Sequence, residues 1–445
     1  MSLSADAIER CELVVEEGAA RWNLPGVSVA IVQGPDVAWA EGFGLADRDA
    51  RTPMTPDTYL RVASISKLFT ATAVFVLRDE GTLSIEEPVV TFLPAFPSKH
   101  ITVRHLLCHA SGLQREAPGD MGSRSRRFTS DEEVPTLLDR VRMPFAPMRT
   151  WKYSNLGYTI LGRIVERVAG QPFARFVGER ILAPLRMKAA AYDPRSVPAD
   201  RRSMCYLRVP DTDWLQPDDR IWEPMWTAAG GLCSTARDLG RFAAFLAGEG
   251  GPAAPLGAAS LEEMCAPQIV LDEAWTQAHA LGPMLIRSGD RVLAGHAAGV
   301  FSVAGWLLVS RRDRVGAVCL TNVGDEGPVL PIACDLVEIA ASQAVPATLA
   351  PSPGPVPAQY AALLGRYVGD RGLVLTVAWT RDRLTVEWPA VPGLVPPPRA
   401  RVTKDAEGML RFDDGPYAGE EMIVERETDG RVRGWESCTY WYARL

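Results

Sequence analysis

The sequence predicts an α+β protein: an antiparallel sheet assembled from both ends of a large N-terminal region, with helices against it, followed by a small C-terminal antiparallel, barrel-like domain. Strand-sized apolar segments lie early and late in the first region, apolar residues at helical spacing fill its middle, and a proline-rich break separates it from short alternating segments. That break, "VPATLAPSPGPVPAQY" at 345–360, holds five prolines and little that could pack. It divides the chain into residues 1–345, a linker at 346–358 and a small all-β domain at 359–445.

"GVSVAIVQG" followed by "VAWAEGFGLAD" reads as an early hairpin. "NLGYTILGRIVERVAG" reads as a helix closed by Gly170. "TARDLGRFAAFLAGEG" repeats the scheme, with Thr235 as N-cap and Asp238 close to a capping box. "VFSVAGWLLVS" and "RVGAVCLTN" are two core strands around the turn "RRDR". Beyond the linker, "LVLTVAW" and "RLTVEW" alternate with period two across "TRDR", and "MIVERE", "RVRGWES" and "TYWYARL" continue as strands.

Composition excludes several function classes. A net charge of −7 and a pI near 5.5 draw the chain to neither nucleic acid nor anionic lipid. No apolar run approaches the ~18 residues of a membrane span. "MSLSADAIERCELVVEEG" lacks the basic and apolar regions of a secretory signal. Eight scattered cysteines without a CxxC pair suit free thiols, and the cytoplasm is the expected compartment.

The chemistry concentrates in three places. In "YLRVASISKLFTATAVFVLRDEG" (59–81), Ser64 and Lys67 stand at i, i+3 at the mouth of a helix apolar nearly all round. A serine hydroxyl needs a base to take its proton, and a part-buried lysine has the lowered pKa to be that base. Ser66 points to another face. In "WKYSNLGYTILG" (151–162), Tyr153 and Asn155 precede a helix in a loop where polar groups converge; Tyr153 could shuttle a proton, or simply pack while Asn155 caps the helix. In "LAGHAAGVFSVAGWLLVS" (293–310), His296 opens an apolar strand followed by small residues. His105 and His109 have a zinc-compatible i, i+4 spacing, but the glutamate of H-E-x-x-H and a third ligand are missing, so no metal is expected. Trp214, Trp222 and Trp226 crowd an acidic, loop-like stretch and either line a cleft or pin the loop.

Ser64-x-x-Lys67, Tyr153-x-Asn155 and His296-x-x-Gly299, in that order, resemble the serine β-lactamase and penicillin-binding-protein superfamily. The nearest branch is that of the class C β-lactamase relatives, with the family VIII-type esterases and the D-aminopeptidase and D-Ala-D-Ala carboxypeptidase relatives. "LPGVSVAIVQG", "ITVRHLLCHASGL" and "AAGGLCSTARDLGRF" extend the resemblance over roughly residues 10–340. It implies a β-lactamase/transpeptidase-like domain and a serine hydrolase that forms an acyl-enzyme on Ser64. Lys67 and Tyr153 would handle the proton, Asn155 would contact substrate or Lys67, and the amides of Ser64 and Gly299 would form the oxyanion hole. It further implies a small ester, amide, peptide or β-lactam substrate and no metal or organic cofactor; a homo-oligomer stays open. Where many relatives carry Lys-Thr-Gly, this chain has His296, Ala297 and Ala298. That leans towards an esterase or a peptidase of different specificity, and Ala298 should narrow the strand edge. The rival reading is a non-catalytic protein of the same fold that binds peptides or cell-wall fragments.

Overall fold

The larger sheet of the computed structural model contains β1 (Gly26–Gln33), β2 (Asp36–Asp47), β3 (Thr52–Pro53), β4 (Ile269–Val270), β5 (Gln277–His279), β6 (Met284–Ser288), β7 (Arg291–Val300), β8 (Val303–Ser310) and β9 (Val315–Thr321). The structure describes residues 3–116, 138, 141–208, 215–222, 227–272, 274–324, 327, 329–342, 356–369, 374–380, 383–387, 400–404, 408–413, 420–437 and 440–444. Two compact units result, Met1–Pro346 and Ala347–Leu445.

β1 is apolar at nearly every position, so both of its faces need cover. β2 takes one edge through a tight turn, and β9 arrives from the far end of the unit to take the other, with Val29 opposite Cys319. The strand order is β3-β2-β1-β9-β8-β7-β6-β5-β4, an antiparallel sheet closed from both chain ends as the sequence predicts. Alternate residues serve two cores. Val27, Val29 and Ile31 meet α1 (Ala5–Arg21) and α5 (Val329–Ser342) on one face, while Ala30 and Val32 join the larger core of the other face. That core contains α2 (Ser66–Asp79), α3 (Asn155–Ala169) and α4 (Ala236–Ala244), and it holds the helical region.

α3 ends on Gly170 at φ +66, a left-handed C-cap that glycine adopts without strain. Thr235 caps α4 by accepting from the Asp238 N–H at 3.2 Å. The box is not reciprocal, because the Asp238 carboxylate turns to the Ala189 N–H and to Arg241. α1 and α5, neither of which the sequence reading singled out, together cover the face of the sheet that carries Val27, Val29 and Ile31.

The second unit is an eight-stranded antiparallel sheet: β10 (Gly365–Gly369), β11 (Val374–Thr380), β12 (Arg383–Glu387), β13 (Ala400–Lys404), β14 (Leu410–Phe412), β15 (Ile423–Arg426), β16 (Val432–Ser437) and β17 (Tyr440–Arg444). The Phe412 N–H to Glu420 carbonyl bond (3.0 Å) and the Met422 N–H to Leu410 carbonyl bond (2.8 Å) draw its two edges together, giving the nearly closed barrel. Trp435 fills the centre, fully buried and stacked on Tyr442 at 4.2 Å.

Seven described cysteines are free thiols; Cys438 lies outside the described residues. No helix among the described residues is long and apolar enough to cross a membrane.

Phe69 of α2 is fully buried and stacks on Phe242 of α4 at 4.0 Å, joining the Lys67-bearing helix to the sheet-packed helix. Phe69→Ala is expected to lower stability by about 3–5 kcal/mol in urea unfolding followed by tryptophan fluorescence. A loss below ~1 kcal/mol would show that this contact does not anchor α2.

Candidate active site

Ser64 lies in a 3₁₀ turn, Ala63–Ile65, that runs directly into α2. The residue before it, Ala63, sits at φ +42, a conformation costly for a side chain with a Cβ and characteristic of functional sites. This turn keeps the i, i+3 relation expected of a helix: Ser64 Oγ lies 3.0 Å from Lys67 Nζ. Tyr153 Oη reaches the same oxygen at 2.8 Å. Ser66 faces the other way, fully buried, where its hydroxyl accepts the Leu232 N–H at 3.1 Å.

One segment clamps the whole turn. Lys67 Nζ donates to the Ala229 carbonyl at 2.6 Å, and Thr70 Oγ1 donates to the Ala228 carbonyl at 2.6 Å. The Val62 N–H donates to the Leu232 carbonyl at 3.0 Å. Arg61, wholly buried, donates from Nε to Ile221 O (2.9 Å) and from Nη1 to Gly231 O (2.6 Å). The stretch "AAGGL" can come this close because Gly162 of α3 has no side chain: a Cβ there would stand 2.5 Å from the Ala228 Cβ.

Burial pushes Lys67 well below the ordinary lysine value; Glu116 opposes the shift and Arg115 adds to it. The amine is therefore available as a base. The same burial costs stability. Between the lowered folded value and the ordinary 10.5, the unfolded chain binds the extra proton, so stability rises with pH across that window. Lys67→Met is thus expected to abolish turnover yet raise the melting temperature at pH 7, and this gain should shrink as the pH approaches 10.5. Melting curves at pH 7 and 10 check it; a variant less stable than wild type at pH 7 would refute the burial cost.

Asn155 opens α3, but Ser154 is the cap, accepting the Gly157 N–H at 3.0 Å. The Asn155 side-chain amide donates to Glu116 Oε1 at 2.8 Å, so its observed partner is Glu116, where Lys67 or substrate was expected. Arg115 also donates to Glu116 (3.1 Å) and lays its guanidinium over the Tyr153 ring, 4.9 Å from the centroid. No motif marked Arg115 or Glu116.

β7 supplies the third motif. β6 pairs with β7 only from Arg291 to Gly295, so the His296–Val300 half meets β8 on one side and, among the described residues, leaves its other edge without a paired strand. Gly299 lies on this open half. The Ala298 methyl is fully buried, 3.4 Å from the Cβ position of Gly305 across the ladder, and joins the core instead of narrowing the edge. His296 is buried, and desolvation above all pushes it well below the usual histidine value, so it is neutral.

Of the three tryptophans, Trp214 and Trp226 lie outside the described residues. Trp222 pins its loop: its indole N–H donates to Ser203 O at 3.2 Å and Arg202 covers its ring. The i, i+4 spacing of His105 and His109 does not bring their rings together. His105 Nδ1 accepts the Thr102 N–H inside a capping box, and His109 stands beyond the helix end at φ +55. That left-handed turn sends His109 to His279 and His296, with a ring nitrogen of each within 4.8 Å of the others, the one group among the described residues whose ligand types could suit a metal.

The chain belongs to the beta-lactamase family, whose model matches residues 12–340. It is 32% identical over 207 residues to esterase EstB from Burkholderia gladioli, covering 42% of this chain and 52% of that one. The chain spans about half the length of the curated relatives it matches. D-amino acid amidase from Ochrobactrum anthropi SV3 superposes with a TM-score of 0.67 at 25% identity, over 76% of this chain and 99% of that chain. The octameric penicillin-binding protein homologue from Pyrococcus abyssi superposes with a TM-score of 0.71 at 23% identity, over 98% of this chain and 100% of the other, and shows the shared fold.

Proposed function

We propose that this protein is a serine hydrolase that cleaves a small ester or amide through an acyl-enzyme on Ser64, as an esterase or D-amino-acid-type peptidase with at most weak β-lactam turnover. The observation that carries the reading is the convergence of Lys67 Nζ and Tyr153 Oη on the Ser64 oxygen at 3.0 and 2.8 Å. A binding protein has no use for a desolvated amine against a serine.

In this reading the Ser64 proton passes to neutral Lys67 as Oγ bonds to the substrate carbonyl carbon. The carbonyl oxygen becomes an oxyanion, held by the Ser64 amide and the Gly299 amide on the open half of β7. Donors of this kind are typically worth ~3 kcal/mol each. As the carbonyl reforms, the bond to the leaving group breaks, and Tyr153 delivers its hydroxyl proton to that group and recovers one from Lys67. Water then attacks the acyl carbon with the same pair as base, and Ser64 regains its proton. Asn155 acts in this scheme by holding Glu116 in the field of Lys67.

Substrate charge argues within the class. Neutral His296 and a paired Arg115 offer a substrate carboxylate no unopposed cation, which favours esters and neutral amides over β-lactams. EstB is named an esterase and the Ochrobactrum protein a D-amino acid amidase, and both names fit. A homo-oligomer is part of the proposal, since the Pyrococcus homologue is octameric; nucleic acid is not a partner at a net charge of −7. The free thiols favour the cytoplasm.

The test is hydrolysis of p-nitrophenyl esters of varied chain length, D-alanyl anilides and nitrocefin by wild type, Ser64→Ala and Ser66→Ala. Ser64→Ala should abolish turnover of the preferred substrate. Ser66→Ala should keep it while losing roughly 1–3 kcal/mol of stability, because the Leu232 N–H is left unpaired in the core. A wild type inert to the panel and to a fluorophosphonate probe would favour the non-catalytic binding protein.

A further inference from the structure

Behind Tyr153, three histidines from remote parts of the chain meet. His109 follows the short helix Val103–Leu107, His279 ends β5 and His296 lies on β7. All three are buried, at 0%, 0% and 1% exposure. The His109 ring lies 4.3 Å from the Tyr153 ring and 4.8 Å from that of His279, centroid to centroid.

The backbone fixes their tautomers. His279 Nδ1 lies 2.9 Å from the Ala280 carbonyl and His296 Nδ1 lies 2.8 Å from the Ala297 carbonyl. A carbonyl only accepts, so both rings carry the proton on Nδ1 and present a bare Nε2. His109 is the reverse: its Nδ1 accepts the Ser154 N–H at 3.1 Å, so its proton is on Nε2. Burial holds all three below the ordinary histidine value, His279 at about 4, so each is neutral. The cluster therefore offers one N–H donor and two nitrogen acceptors, and among the described residues none of these three Nε2 atoms has a hydrogen-bond partner.

Buried polar atoms left unmatched are costly, and three on rings packed this closely together call for one shared occupant. The complement of one donor and two acceptors is an atom with a lone pair and two hydrogens. A water molecule has this pattern, and buried waters typically make ~3 bonds to groups the protein leaves unsatisfied. The dimensions allow it: three hydrogen bonds of ~2.9 Å about a tetrahedral centre place their outer atoms ~4.7 Å apart, and one ring nitrogen of each histidine lies within 4.8 Å of the others. Zinc, with bonds of ~2.0–2.1 Å, would need about 3.4 Å. It would also need a bare Nε2 on His109, which the Ser154 N–H forbids.

We propose that His109, His279 and His296 bind a single water through their Nε2 atoms, and that this water-centred cluster positions Tyr153 against Ser64. The bound water does not depend on the proposed chemistry; the effect on Tyr153 does. The three histidines are positioning residues, and His109 transmits the arrangement through its stacked ring.

The experiment combines a high-resolution crystal structure of the full chain with metal analysis after dialysis against zinc and with fluorophosphonate labelling of wild type, His279→Leu and His279→Gln. One water within hydrogen-bond distance of all three Nε2 atoms and sub-stoichiometric zinc are expected. His279→Leu should label about 10-fold or more slowly, because a small misplacement of the proton-handling group is costly, and His279→Gln should recover by restoring an acceptor. Stoichiometric zinc with an anomalous peak at the cluster, or a dry cluster, overturns the water. Equal labelling of wild type and His279→Leu overturns the positioning role. Wild-type chain that takes no label refutes the hydrolase reading instead, and the crystal structure still decides the water.

Discussion

An amine has to be kept in the dry core of this protein, and much of the surrounding structure answers to that requirement. Lys67 has no exposure, so its hydrogens need partners and its charge has to be forgone. The Ala229 carbonyl and the Ser64 hydroxyl supply the partners. Placing that carbonyl requires the "AAGGL" stretch to lie across the first turn of α2. This in turn requires a glycine on α3, a buried arginine beneath the loop and a serine hydroxyl for the Leu232 amide. Residues that look unremarkable in isolation, Gly162, Arg61 and Ser66 among them, are there because one lysine is buried.

This arrangement also explains why the neighbourhood is polar but uncharged. Every group around Lys67 is neutral, paired or backbone: three neutral imidazoles, an Arg115–Glu116 pair and carbonyls. An unpaired cation would push the amine further from protonation, and an unpaired carboxylate would lock it as ammonium. Asn155 and Arg115 share the Glu116 carboxylate and so moderate that second effect.

What the sequence made legible was what short-range periodicity governs. The β1–β2 and β8–β9 hairpins, α3 with its Gly170 cap and the strands of the barrel follow from alternation, spacing and turn residues within about a dozen positions. Ser64 and Lys67 were legible because i, i+3 proximity needs no tertiary information. The partners that meet across the chain were not. His109 leaves its helix through a positive φ, which defeats the i, i+4 argument with His105, and His279 carries no motif at all. Asn155 bonds to Glu116, and the Ala298 methyl vanishes over Gly305, because β7 and β8 bring a glycine opposite it. For Asn155 and the histidine cluster the deciding neighbours are remote in sequence, and for Ala298 the register of a hairpin decides.

The sheet is closed by its two chain ends, with Val27 opposite Thr321. Joining segments so distant costs on the order of 5 kcal/mol of chain entropy before any pair of strands rewards it. It also orders events in time. During synthesis Ser64 and Lys67 leave the ribosome roughly 10–50 s before His296 and Gly299 at ordinary elongation speeds. The segment that positions the lysine, and the strand that packs against the Ser64 turn, both arrive late. A half-made chain therefore holds a serine and a lysine that are only two polar residues. The arrangement of Ser64, Lys67 and Tyr153 is completed only when the last segments close around it, so any reactivity it confers belongs to the finished fold and not to the chain still being built.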